Sequence, residues 1–266
     1  MTSSARPTRW IGLARVPTPA LERAELTYLE RRPIDFGRAC RQHAGYRELL
    51  ERLGVAVQLL DAEPEHADAV FIEDTAVVLD EIAVLCSMGA ASRRGEVAGV
   101  ATALSAYRDV RRVELPATID GGDVQRLGRT LYAGLSQRTN RAGVDALSEL
   151  VAPFGYRVVA VPVDGCLHLK SACTALPDGR LLVNPDWIDA RALGEVGKLR
   201  VPEAEPFAAD VLSLGETVVL EASHARTAAL LAAEGHAVET IDLSEFAKAE
   251  GGVTCLSLIL ERSPPG

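Results

Sequence analysis

Apolar and polar positions along this chain fall into one pattern that recurs. Residues 75–85 read as two short aliphatic or β-branched runs broken by Asp80-Glu81. Residues 124–135 repeat the arrangement with Gly128-Arg129 at the break, 173–183 with Pro177-Asp178-Gly179, and 211–220 with Gly215-Glu216. Apolar runs separated by such short polar or Gly/Pro connections predict β-hairpins. Stretches with apolar residues at helical spacing follow most of them: 94–108, 141–154 and 225–234. Residues 38–53 form an equivalent helix ahead of the first hairpin, and one unit has only a weak helix, 187–193. Each helix leads into a short β-rich segment: 55–60, 110–115, 156–163, 198–201 and 237–241.

The hairpins recur roughly every 40 to 50 residues, residues 253–260 supply a last strand, and residues 10–15 supply the strand that completes a ring. Strand–helix units with mixed pairing, repeated about five times, predict a closed, propeller-like α/β domain. A doubly wound parallel sheet is the alternative, but its strands need long crossovers and the hairpins here are tight. No Pro/Gly/Ser linker divides the chain, so a single domain is expected over residues 1–266. In such a ring the polar motif entering each hairpin points toward the axis. That would place Asp74, Asp120, His168 and Cys255 at equivalent positions of different units.

Composition narrows the function. At 48% hydrophobic and 24% charged residues, the chain has the make-up of an ordered globular protein. Its net charge of −9 argues against nucleic acid as a partner and suits a small cationic one. No run of about 18 apolar residues occurs, so no membrane span is expected, and the N-terminus lacks a signal-peptide core. Five cysteines without a paired CxxC spacing give neither a disulfide framework nor a structural zinc site. The natural compartment for such a chain is a reducing cytoplasm.

Candidate chemistry lies in the motifs that enter the hairpins. Cys255 follows Gly251-Gly252, which lets the backbone come close to a ligand. Taken singly, it is more simply a buried structural cysteine, as Cys40, Cys86, Cys166 and Cys173 mostly are. His168 between two leucines alone reads as a core histidine, and Asp120-Gly121-Gly122-Asp123 as a turn. Glu73-Asp74 alone reads as a solvated strand end. Arg93, Arg94 and Arg138 alone read as surface charges, although a cation at a helix start is unfavourable and hints at a use. No phosphate loop, dinucleotide fingerprint or zinc-protease helix is present.

Together these strings resemble the dimethylarginine dimethylaminohydrolase family of the guanidino-modifying (pentein) superfamily. The resemblance runs from about Leu26 to Leu260. It rests on Phe71-Ile72-Glu73-Asp74-Thr75, Ser92-Arg93-Arg94, Asp120-Gly121-Gly122-Asp123, Gly134-Leu135-Ser136-Gln137-Arg138-Thr139-Asn140, Leu167-His168-Leu169-Lys170-Ser171 and the segment from Gly251 to Ser257. The chain departs from the family at Cys86-Ser87-Met88-Gly89-Ala90 and in residues 26–35, where a lid-like loop is expected.

The resemblance implies a five-bladed pseudo-symmetric α/β propeller (pentein fold) with its site on the axis. It implies Cys255 as nucleophile, His168 as general acid/base and Asp120 as the carboxylate supporting the histidine. Asp74 would grip the guanidinium, with Glu73 and Asp68 nearby, and Arg93 and Arg138 would hold an amino-acid carboxylate. Leu26 and the backbone of Ala249 would complete the substrate site. The reaction implied is hydrolysis of Nω-methylated arginines to citrulline and an alkylamine through a thiouronium intermediate, without metal or organic cofactor. A thiol, an imidazole and carboxylates together would at most bind zinc adventitiously. The partner is a small guanidino amino acid, with no nucleic acid or membrane, and the state is a monomer or homodimer. An arginine deiminase or citrulline hydrolase of the same superfamily, or a non-catalytic arginine-binding propeller, remain the alternatives.

Overall fold

A computed structural model describes residues 10–262; residues 1–9 and 263–266, the ends of the single domain expected from the sequence, lie outside them. Strand β1 (Trp10–Arg15) leads through helix α1 (Phe36–Arg52) to β2 (Val55–Leu60). Strands β3 (Ala76–Val78) and β4 (Ile82–Leu85) form a hairpin, and α2 (Val97–Leu104) carries the chain on to β5 (Asp109–Arg112). Next come β6 (Val124–Leu127), β7 (Thr130–Leu135), α3 (Arg141–Val151) and β8 (Arg157–Pro162). In the following unit β9 (Cys173–Ala175) and β10 (Leu181–Val183) reach β11 (Lys198–Arg200) through only a 3-10 turn, Ala190–Leu193. Strands β12 (Leu212–Leu214) and β13 (Thr217–Glu221), helix α4 (Ala225–Ala233) and β14 (Ala237–Ile241) follow, then α5 (Ser244–Ala247) and β15 (Leu258–Glu261).

These strands make five three-stranded sheets of one topology. In each, the middle strand pairs antiparallel with one neighbour and parallel with the other, as β4 does with β3 and β5. One sheet joins the two ends of the described chain: β1 pairs antiparallel with β15, Trp10 opposite Glu261, and parallel with β2. That pairing closes the ring, and the five-bladed propeller expected from the repeat is the observed fold.

Local chemistry sets the element boundaries. The Asp35 carboxylate caps α1 by accepting from the Arg38 amide at 2.9 Å, and Gly54, at φ 85°, ends it. The Asn140 side chain caps α3 through the Gly143 amide at 2.8 Å. Val144, Leu147 and Val151 form the buried face of α3, at the three-to-four spacing that marks it in the sequence. Leu147 and Val151 join Val84 of β4 and Leu104 of α2 in one apolar cluster between sheets and helices.

Two of the elements that are shorter than the pattern predicts bear on the site. The helix expected over 94–108 begins only at Val97, because residues 91–96 tighten into a 3-10 turn that turns Arg93 inward. The strand expected over 253–260 begins only at Leu258. Ahead of it the Cys255 carbonyl accepts from the Glu73 amide at 3.2 Å and the Thr254 amide donates to Asp210, so these groups are not in a ladder. Among the described residues no helix is long and apolar enough to cross a membrane.

Candidate active site

The segment entering the first strand of each sheet lies near the axis. Turns Ile72–Thr75, Gly121–Asp123 and Leu169–Ser171 precede β3, β6 and β9; Asp210 stands just before β12 and Cys255 before β15. The Gly121-Gly122 pair is there for close approach. A Cβ on Gly121 would run into the backbone of Glu73, and one on Gly122 into Asp74 and the His168 ring.

Asp74, Asp120 and His168 interlock. His168 Nε2 lies 3.1 Å from Asp120 Oδ2, and His168 Nδ1 lies 3.6 Å from Asp74 Oδ1. A ring whose two nitrogens both face carboxylates is held as imidazolium. Burial by itself would strip the proton, but Asp74, the hydrogen bond to Asp120 and the charge of Asp123 outweigh it and raise the pKa to about 9. Burial also opposes the charge on Asp74, yet His168, Arg93 and the Gly122 amide bring that carboxyl down to about 2. Asp120 accepts from the Gly89 amide at 2.9 Å through its other oxygen. Asp123 braces the cluster from behind, accepting from the Leu169 amide at 2.9 Å and from the Ser136 and Thr139 hydroxyls at 2.6 Å each.

Donor atoms of Asp74, Asp120 and His168 come within 4.8 Å of one another, a spacing that a metal ion could bridge. Protonated at both nitrogens, His168 has no lone pair for an ion and supplies the positive charge itself.

Cys255 and His168 line one narrow pocket, with Asp68, Asp74, Arg93, Arg138 and Ala249 also in its wall. Burial, then the charges of Asp210, Glu73 and Asp74, hold the Cys255 pKa well above the ordinary thiol value. The free site therefore carries a thiol, and a bound cation is what would favour the thiolate. The Glu73 carboxylate has one oxygen 2.6 Å from Lys170 Nζ and the other 2.7 Å from the Thr254 hydroxyl.

The two arginines differ. Arg93 gives hydrogen bonds to Asp74 at 2.6 Å, to both Glu96 oxygens, and to the Asp68 and Phe71 carbonyls. Expected as half of a carboxylate clamp, it is largely spent on fixing Asp74. Arg138 is less committed, with the Thr27 hydroxyl at 3.4 Å and Asp120 at 4.0 Å. Asp68 accepts from the Glu25 amide through both oxygens, at 3.1 and 3.2 Å. Leu26 is half-buried on the same loop, next to Glu25, which lines the cavity.

Three residues went unnoticed in the sequence. Glu250 accepts from the consecutive amides of Thr27, Tyr28 and Leu29 and so ties the loop to the Cys255 segment. Its backbone φ of 60° was not legible from composition. Glu96 was hidden in a stretch that reads as plain helix. Asp210 did leave a signal: it precedes its hairpin as Asp74 and His168 precede theirs.

A sequence profile described as "N,N dimethylarginine dimethylhydrolase, eukaryotic" matches residues 30–192. An N(G),N(G)-dimethylarginine dimethylaminohydrolase of Streptomyces coelicolor is 43% identical over 249 residues, covering 93% of this chain and 96% of that one. The chain belongs to the dimethylarginine dimethylaminohydrolase family. Solved members of this family superimpose along most of its length. The Pseudomonas aeruginosa enzyme, as a Cys-to-Ser mutant complexed with citrulline, matches with a TM-score of 0.88 at 29% identity, covering 94% of this chain and 98% of that one. A His-to-Gly form of a dimethylarginine dimethylaminohydrolase, as an adduct with S-methyl-L-thiocitrulline, matches with a TM-score of 0.90 at 29% identity, covering 94% and 99%.

Proposed function

We propose that this dimethylarginine dimethylaminohydrolase-family protein hydrolyses Nω-methylated arginines to citrulline and an alkylamine. The observation that carries the reading is a single cavity in which a thiol, Cys255, shares the wall with His168 and Asp74. A guanidinium is a poor electrophile, because its charge is spread over three nitrogens. Asp74, ionised and fixed by Arg93 and the Gly122 amide, orients the cation by charge-assisted hydrogen bonds. Arg138 takes the substrate carboxylate, and Asp68 with the Ala249 backbone borders its amino group.

Cys255 attacks the guanidinium carbon as thiolate. The C–N bond to the methylated nitrogen breaks, and His168 gives its proton to the departing amine. The neutral imidazole then takes a proton from the water that attacks the thiouronium carbon, and citrulline leaves with the sulfur restored. Asp120 keeps the ring oriented and favours its charged form. The citrulline complex and the S-methyl-L-thiocitrulline adduct of the two solved relatives support this course. The same reading places the protein in the cytoplasm, acting on a free amino acid.

Turnover on arginine, monomethylarginine, asymmetric dimethylarginine and citrulline tests it. Citrulline formation from the methylated substrates, well above that from arginine, is expected. Preference for arginine would replace the proposal with a deiminase.

A further inference from the structure

Proton acceptors for the Cys255 thiol are scarce. His168 already carries its proton and faces carboxylates at both nitrogens. Asp74 is taken up by Arg93 and Gly122, and both oxygens of Glu73 are bonded, to Lys170 and Thr254. Asp210 is placed differently. Its Oδ1 accepts from the Thr254 amide at 3.2 Å, and its Oδ2 lies 4.0 Å from Cys255 Sγ. The Gly252 amide approaches the same sulfur at 3.3 Å, ready to stabilise a thiolate. A Cβ on Gly252 would run into the Asp210 carboxyl, so the glycine keeps this contact open.

We propose that Asp210 is a further catalytic residue, which shares one proton with Cys255 and receives it on Oδ2 when a guanidinium binds. The proposal rests on the reading of Cys255 as the nucleophile. The S–H bond breaks, an O–H bond forms, and the pair keeps its net charge, so no proton has to leave the site before attack. The substrate cation sits against the sulfur and favours the form with charge on Sγ. Asp210 also lines a second cavity of about 280 Å³ with Ser171, Glu221 and His224, through which it can exchange its proton with solvent.

The surroundings keep the carboxyl within reach of this exchange. Burial first, then the charge of Glu73, push Asp210 up to about 7, against the Thr254 hydrogen bonds and Lys170, which act the other way. Facing the pair are Glu73, Asp74 and Lys170 from the axis and Glu221, His224 and Glu250 from the second cavity. An acid of that strength is a far better match to a thiol than an ordinary aspartate. The two groups then titrate as a unit, with one proton between them over the working range.

Asp210→Asn is the test, read out as the pH dependence of kcat/KM. The acid limb near pH 7 in the wild type should move upward in the variant. At pH 7 kcat/KM should fall on the order of 10²-fold, the scale of general-base catalysis, with the loss shrinking as pH rises. A merely structural role would lower the rate at all pH values without moving the limb. Alkylation of Cys255 by iodoacetamide gives a second readout that needs no turnover. The wild-type rate should show a step near pH 7, and the variant should lack it. If Asp210→Asn fails to fold, the wild-type alkylation profile decides alone. An unshifted limb, a faster variant or a wild-type profile without the step would overturn the proposal. A wild-type step without any turnover of methylated arginine would instead leave Asp210 in place and remove the substrate assignment.

Discussion

The two walls of the catalytic cavity are built from carboxylates, but those carboxylates have opposite tasks. On the inner side Asp74 lines the cavity with Asp120 and Asp123 behind it, and all three are almost fully buried and tied to His168, Arg93, backbone amides and hydroxyls. On the outer wall a loop whose Tyr28 and Leu29 are 39% and 37% exposed is held by Glu250 through three amides. Arg31 adds bonds to the Glu22 and Ala24 carbonyls within the same stretch. Buried charges with every partner in place cannot be rearranged without leaving one of them uncompensated. Amides facing solvent find water as soon as the carboxylate lets go. The inner wall is therefore rigidly preorganised, while the loop is held by bonds that water can replace.

Breaking the inner wall should cost most. Cys255→Ser should abolish citrulline formation, since a hydroxyl has no comparable anion to offer, whereas Cys40→Ser should leave the rate essentially intact. His168→Gly should lower kcat by about 10²–10⁴-fold, with a Cys255 adduct detectable by mass spectrometry of quenched reactions. Wild-type rates in either Cys255→Ser or His168→Gly would remove that residue from the mechanism.

Asp74→Asn should unfold at lower denaturant as well as lose turnover, because it strips a buried arginine of a partner. The cost expected for such a broken pair is about 3–5 kcal/mol. Urea titration of the variant against wild type measures it, and an unchanged midpoint would show that Glu96 and the Asp68 and Phe71 carbonyls satisfy Arg93.

Arg138→Ala sits where the two walls meet. Loss of one side of a buried charge-assisted contact costs about 2–5 kcal/mol, so kcat/KM for an α-amino-acid guanidine should fall steeply. Agmatine, which lacks the carboxylate, should be handled poorly by wild type and lose little more. Equal losses on both substrates would reverse the orientation assigned to the substrate.

The pH profile separates the walls without mutation. His168 holds its proton up to about 9, above the ordinary imidazole value of about 6.5. A group raised in this way contributes stability in full below its unfolded value and loses it as pH rises through the folded one. Both kcat and melting temperature should therefore decline as pH climbs through about 9, and the melting decline should vanish in His168→Gln. The loop should give the smallest effect. Glu250→Gln keeps one acceptor and should raise KM only a few-fold, with faster proteolysis near Tyr28 and unaltered unfolding.

The same contrast explains what the sequence revealed. Hairpin breaks such as Gly128-Arg129 and the alternation of strands and helices are local signals, and they placed the five sheets closely. Cys255, His168, Asp120 and Asp74 drew attention through the family resemblance and through their equivalent places ahead of a strand in the repeat. The partnership of Arg93 with Asp74 is a contact across 19 residues made by a 3-10 turn that reads as helix, so its direction was not visible. Asp210 obeys the same positional rule as the others, but Ala208-Ala209 ahead of it carry no chemistry to draw attention. Glu250 depends on a turn with positive φ on a non-glycine residue, which neither spacing nor composition predicts.

The pairing of β1 with β15 has a consequence for the order of events during synthesis. Four of the sheets draw all their strands from residues 76–241, so they can assemble while the last segment is still in the ribosome. The fifth cannot, because β1 must wait through nearly the whole chain for its antiparallel neighbour. Contacts of such large sequence separation are slow to form. Since Cys255 lies just ahead of β15, its sulfur and the strand that clasps the ring emerge together. The thiol proposed as nucleophile is thus made only after the carboxylates that surround it.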